Sequence, residues 1–111
     1  MKDMKKSTIY VLAKNSMFWN DENDATFDLI VESTKCCFND RLLANGLVDL
    51  NTVLSALGLP KELDKVALGW KIDSTLDFKN YAINIVTKDD GVCLAFDNVV
   101  NLLEDGESNE N

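Results

Sequence analysis

The stretch TFDLIVESTKCCFNDRLLANGLVDLNTVLSALGLPKELDKVALGW, from Thr26 to Trp70, decides the fold. Its first half sets Phe27, Ile30, Val31, Thr34, Phe38 and Leu42 at helical spacing, one apolar stripe flanked by Cys37 and Arg41. Asp24 or Thr26 caps the exposed N–H groups at its start, and Asp28 lies where the helix dipole favours a carboxylate. Gly46 stands where a left-handed residue is needed to stop the helix. A shorter helix follows. Asp49 is its cap, and Val48 packs on Val53 at the spacing of a hydrophobic staple. Val53, Leu54 and Leu57 face inward, Gly58 ends the helix and Pro60 forbids its continuation. Lys61 to Leu68 is expected to add one more turn. Leu68-Gly69-Trp70 then releases the chain into a sheet, with Trp70 a core wedge that Gly69 allows to approach closely.

On the N-terminal side, Thr8, Ile9, Tyr10 and Val11 are β-branched or aromatic, so residues 7–13 read as a strand, with a helix from Met4 to Ala13 as the competing reading. Lys14-Asn15-Ser16 turns, Met17-Phe18-Trp19 returns as a short strand, and the polar run Asn20 to Asp24 breaks the chain. Beyond the stretch, residues 70–72 form a strand and residues 73–77 a loop. Tyr81, Ile83 and Ile85 alternate with Ala82, Asn84 and Val86, a period of two that predicts a strand over 80–87. Lys88-Asp89-Asp90-Gly91 makes a hairpin turn, glycine supplying positive φ, and Val92, Leu94 and Phe96 form the inward row of a returning strand over 91–97. Asn98 to Leu103 is expected to be a helical turn. Glu104 to Asn111 holds four acids and no apolar side chain, the composition of a disordered tail. The fold class is therefore α+β: one long and one short helix packed on a small, mostly antiparallel β-sheet. It occupies a single domain over residues 1–103, beginning with a basic tail over 1–6.

The totals agree. A chain of 111 residues is one domain by size, and 46% hydrophobic residues suffice for a core. No apolar run approaches the ~18–20 residues that cross a bilayer. The apolar run Ile9 to Ala13 is shorter than the ~7–15 residues of an export signal, so the cytoplasm is the expected compartment. Cys36, Cys37 and Cys93 make neither an even disulfide framework nor a C-x-x-C pair; small buried thiols in a reducing compartment are expected, with Cys37 on the core stripe. Histidine is absent, which removes the commonest metal ligand, the usual general base and every Ser-His or Cys-His nucleophile pair. The net charge of −8 is unevenly placed: residues 1–14 carry +3 and the other 97 carry −11. So acidic a body repels phosphate backbones, disfavours direct contact with nucleic acid and suits a basic partner surface.

Asn39-Asp40-Arg41-Leu42-Leu43-Ala44-Asn45-Gly46, then Leu50-Asn51, Leu57-Gly58-Leu59-Pro60 and Leu68-Gly69-Trp70 resemble, in order, an uncharacterised domain family. That family occurs in phage and prophage proteins of low-GC Gram-positive bacteria. Asp89-Asp90-Gly91 with Cys93 looks like its closing hairpin, and the likeness spans roughly residues 18–97. The matching elements are structural punctuation, so the resemblance implies an origin and a fold and no activity. Hydrophobic segments often precede the domain in that family; none stands in this sequence, so a membrane role is not expected.

Candidate chemistry is sparse. Asp21, Asn23 and Glu32 echo positions 1, 3 and 12 of a calcium loop, but Ala25 offers no ligand at position 5 and Thr26 replaces the turn glycine; a capped helix start accounts for these residues better. Adjacent Cys36 and Cys37 diverge by about 100° on a helix and leave a zinc site short of ligands. The carboxylates fall in turns, where acids cap and solvate. No enzyme, cofactor or metal is expected. The expectation is a small phage-derived accessory protein that binds a host protein, inhibiting a defence nuclease as anti-CRISPR and anti-restriction proteins do. Its partner-binding face is assigned to Trp19, Asp21, Glu22, Asp24, Asp28, Glu32, Asp89 and Asp90, presented to a basic nucleic-acid channel. The alternative is a virion or assembly component that forms a homo-oligomer.

Overall fold

The computed structural model describes residues 6–19, 24–61, 67–88 and 92–103, excluding the side chains of Asp24 and Ala25. The extra helical turn expected over Lys61 to Leu68, the hairpin tip at Asp89-Asp90-Gly91 and the tail 104–111 lie largely or wholly outside those residues. The element order is β1 (Ser7–Leu12), α1 (Asp24–Asn45), β2 (Leu47–Asp49), α2 (Leu50–Ala56), β3 (Leu68–Lys71), β4 (Asn84–Lys88) and β5 (Cys93–Asn101), with single 3-10 turns at Ala13–Asn15 and Phe78–Asn80. Two helices pack on a five-stranded antiparallel sheet, an α+β fold.

The longest strand, β5, is the spine. Its first half lies between β1 and β4, with Phe96 opposite both Ile9 and Ile85. Its last residues pair with β3, which carries β2 on its other side. The strand bends at Asn98, whose φ of 64° is one that asparagine tolerates better than most residues. That residue lies in a bulge, where the register to β1 slips between Ser7 and Ile9. Residues 98–101 thus continue the strand; the helical turn expected there does not form. The Asn98 side-chain amide donates to the carbonyls of Lys79 and Ala82, tying the bend to the chain just ahead of β4.

The core follows from the two periodicities. Phe27, Val31, Thr34, Phe38 and Leu42 bury one face of α1, and Ile30 packs beside them half-buried. Val53, Leu54 and Leu57 come from α2, and Leu94, Phe96 and Ile85 from the inner face of the sheet. Trp70 is fully buried, and its indole N–H donates to the Asp97 carbonyl at 2.7 Å, satisfying its one polar atom. The caps fall at the expected residues. Gly46 and Gly58 take φ of 91° and 74° at the helix ends, and the Asp49 carboxylate accepts from the Asn51 N–H at 3.4 Å.

Further expectations fail, among them the strand over 80–87, which begins only at Asn84 after a 3-10 turn at Phe78–Asn80. Met17-Phe18-Trp19 is a turn, because Ser16 claims the local bonding: its hydroxyl donates to the Leu57 carbonyl and accepts from the Phe18 N–H. The Met17 N–H meanwhile goes to the Gly58 carbonyl, so this segment clasps the end of α2 instead of pairing in the sheet. Residues 47–49, for which only the Asp49 cap and the Val48 staple were expected, also form strand β2. Val92 is exposed, since it precedes β5 and its carbonyl accepts from the Ala13 N–H at the sheet margin. Finally, Cys36 and Cys37 are both exposed: they occupy the flank of α1 that β2 and β4 do not cover.

Candidate functional site

The exposed face of the first half of α1 runs beside β4. Asp28, Val31, Glu32 and Lys35 stand on one wall, Asn84 to Thr87 on the other, and an open groove of about 400 Å³ lies between them. Helical geometry explains the helix wall: residues 28, 32 and 35 are spaced at i, i+4 and i+7, one turn of the helix apart and next to the buried stripe that Val31 belongs to. Asp28 and Glu32 are exposed, and Lys35 approaches Glu32 to 3.2 Å, an ion pair that leaves Asp28 as the unneutralised charge.

The strand wall is an edge. Farther along α1, the side-chain amide of Asn39 accepts from the Ile83 N–H at 2.8 Å and donates to the Ile83 carbonyl at 2.9 Å. One side chain thereby makes the two bonds that a neighbouring strand would make. It ties the helix to the chain just before β4 and fixes the groove's width at that end.

The expected partner-binding residues divide three ways. Asp28 and Glu32 are brought together on the groove wall. Trp19 sits at the start of the same helix, half-buried, its ring edge-on to Phe27 at 5.6 Å and packed against the core. Asp24 opens α1 with its side chain undescribed, and Asp21, Glu22, Asp89 and Asp90 lie outside the described residues. Sequence reasoning missed Lys35, Asn39, Ile85 and Thr87. Ile83 and Ile85 could be read as inward-facing from their alternation, but which side of β4 stays unpaired depends on strand order, a long-range property.

A second hollow, of about 240 Å³, lies on the outer face near the bulge, lined by Lys6, Thr8, Lys79, Asn84, Asp97 and Asn98 among others. Its carboxylate is already used: Asp97 accepts from the Thr8 hydroxyl and from the Asn84 amide, both at 3.0 Å, and so binds three strands together. Among the described residues no three of His, Cys, Asp and Glu converge as metal ligands. The calcium-loop echo is overtaken by α1, which begins at Asp24 inside the supposed loop. What the groove offers chemically is recognition, through carboxylates, an ammonium and a strand edge.

Over residues 1–104 the chain matches a family of unknown function, DUF6353. It belongs to that family. No curated protein and no solved structure matches the chain. Membership in DUF6353 covers all of the described fold and carries no assigned activity. No described helix is long and apolar enough to cross a membrane.

Proposed function

We propose that this protein is a small phage-derived accessory protein that works in the cytoplasm of a bacterial host by binding a host protein with a basic surface. The target class is a nucleic-acid-binding defence nuclease, whose phosphate channel an acidic body can occupy. The observation that carries the reading is the groove wall, where Asp28 and Glu32 stand exposed beside a strand edge on a chain of net charge −8. The resemblance to phage and prophage proteins supports the origin.

The test is a pull-down with the tagged full chain from a Gram-positive host lysate at low and high salt, alongside the Asp28→Lys, Glu32→Lys double variant. Recovery of one nuclease complex, lost at high salt and lost with the variant, is the expected result. Capture that ignores both salt and charge reversal overturns the acidic-inhibitor reading.

A second reading rests on a different face. Tyr10, Leu12 and Val92 are exposed on or beside the outer side of the sheet, apolar area of the kind that self-associating proteins cover. A virion or assembly component that stacks through this face scatters light as an oligomer at micromolar concentration; an accessory inhibitor runs as a monomer.

A further inference from the structure

We propose that β4 is a docking edge: an extended segment of a partner chain, with lysine or arginine at alternate positions, adds to it as a further strand inside the groove against α1. This rests on the protein-binding reading and names the binding mode and the chemistry of the partner.

The direction of the backbone groups follows from two independent contacts. In an antiparallel ladder, the N–H and C=O of one residue point to the same side, and the side alternates along the strand. The Ala13 N–H donates to the Val92 carbonyl at 2.8 Å, so ahead of the bulge the even-numbered residues Leu94 and Phe96 of β5 bond toward β1. Cys93, Ala95 and Asp97 therefore bond toward β4, to Lys88, Val86 and Asn84 opposite them. That leaves Ile85 and Thr87 pointing outward. The Asn39 amide reaches the same answer from the other end, since it holds the outward N–H and C=O of Ile83, two residues before Ile85.

Asn39 satisfies this edge at Ile83, and no described residue continues the pairing at Ile85 or Thr87. Ile85 lies at the floor of the groove, 3% exposed, and Thr87 is exposed at its mouth, so the outward groups of this edge, without a partner among the described residues, face the groove. Backbone polar groups in that condition call for a partner. The outer edge of β1 is different: Thr8, Tyr10 and Leu12 on it are exposed and open to water. An added strand on β4 would complete the pairing that Asn39 begins.

The groove wall selects the occupant. Inward side chains of the added strand, opposite Ile85 and Thr87, pass over Val31 toward Asp28 and Glu32. A lysine or arginine lays its methylene stem along the helix wall and its charge against Asp28, while Lys35 limits how far along the wall a second cation is favoured. An acidic segment meets Asp28 instead and is excluded. Strand addition of this kind draws affinity from main-chain bonds and selectivity from alternate side chains.

The experiment follows amide exchange and chemical shifts of the isotope-labelled full chain as end-capped peptides of about eight residues, long enough to span β4, are added. The probes are an alternating Lys-Thr peptide, its N-methylated counterpart that cannot pair, and an alternating Glu-Thr peptide. The expected result is slowed exchange at Ile85 and Thr87 with shifts on Asp28 and Glu32 for the first probe alone. Thr87→Pro, which removes one outward N–H at an edge position, is expected to weaken binding about tenfold while leaving the β5 pairing in place. Asp28→Lys with Glu32→Lys is expected to transfer binding to the Glu-Thr peptide. Peptide binding without protection at Ile85 and Thr87, or with protection at Tyr10, overturns strand addition on β4 and leaves the protein-binding reading standing. Protection that grows with protein concentration in the absence of peptide gives the edge to a second copy and overturns the basic-segment assignment. Peptide addition at β4 beside an empty pull-down upholds the docking edge and overturns the host-target reading.

Discussion

Gly69 has no room for a side chain. A methyl group there would stand 2.1 Å from the Val48 carbonyl oxygen, which belongs to the backbone of the paired strand β2 and cannot rotate aside. Gly69→Ala is expected to push β2 from β3 and destabilise the protein by about 1–3 kcal/mol or more, read as a lowered denaturation midpoint. Gly46 is the contrasting case: its φ of 91° favours glycine, but nothing lies within 4 Å of an added methyl. Gly46→Ala is expected to cost about 1–2 kcal/mol, through backbone conformation alone. A gentler effect belongs to Asp73, whose carboxyl is held below its ordinary value by the Thr75 hydroxyl first and the Thr75 N–H second, both bonded to Oδ1. A lowered folded pKa means that this loop's small contribution is present above the ordinary carboxylate range and is lost as pH falls through the folded value. Thr75→Val is expected to raise the Asp73 carboxyl toward its ordinary value in an NMR titration. At this scale the sequence was legible where shape is dictated by one residue, as in Leu68-Gly69-Trp70, and illegible at Cys36 and Cys37. A cysteine suits a core or a surface equally, and only the reach of β2 and β4 decides which flank of α1 is covered.

Among the elements, the boundaries that caps define were readable: α1 ends at Gly46 and α2 begins after Asp49. The alternation of Ile85, Leu94 and Phe96 predicted the pairing of β4 with β5, but β4 starts at Asn84 and not at residue 80, because Phe78–Asn80 forms a 3-10 turn and the Asn39 amide takes the Ile83 N–H and C=O. Boundaries set by partners were not readable. Strand β2 has three residues, the last of them the Asp49 cap, too few for any period, and exists because β3 lies beside it. The end of β5 was hidden by Asn98, which reads as a breaker but here turns the strand toward β3. The groove shares this limit, since Asp28 and Glu32 are visible as helix-surface acids while their place opposite β4 is not. Asn39→Leu tests the tie between the two walls. It leaves the Ile83 N–H and C=O without their two bonds, so a loss of about 1–3 kcal/mol is expected, together with faster amide exchange at Ile83. An unchanged Ile83 exchange rate would mean that the helix and the edge are held together by packing alone.

For the molecule as a whole, charge sets two opposed responses to salt. Acids outnumber bases by 19 to 11, so the chain carries a net repulsion among its carboxylates, and among the described residues the one ion pair joins Glu32 to Lys35. Self-repulsion of this kind destabilises the compact state and is screened once the Debye length falls to about 10 Å near 0.1 M salt. The denaturation midpoint is therefore expected to rise between low and physiological salt, in a chloride salt that is neither strongly stabilising nor chaotropic. The same screening weakens attraction to a basic partner, so affinity is expected to fall over the range in which stability rises. Both are measured on one protein in one buffer series, which removes trivial explanations: a salt that simply favoured compact states would raise stability without lowering affinity. Asp28→Lys with Glu32→Lys separates the two further. Moving the net charge from −8 toward neutrality should flatten the stability curve a little, because many acids remain, but should remove most of the salt dependence of binding if these two carboxylates face the partner. A variant that keeps the full salt dependence of binding places the contact surface elsewhere on the molecule.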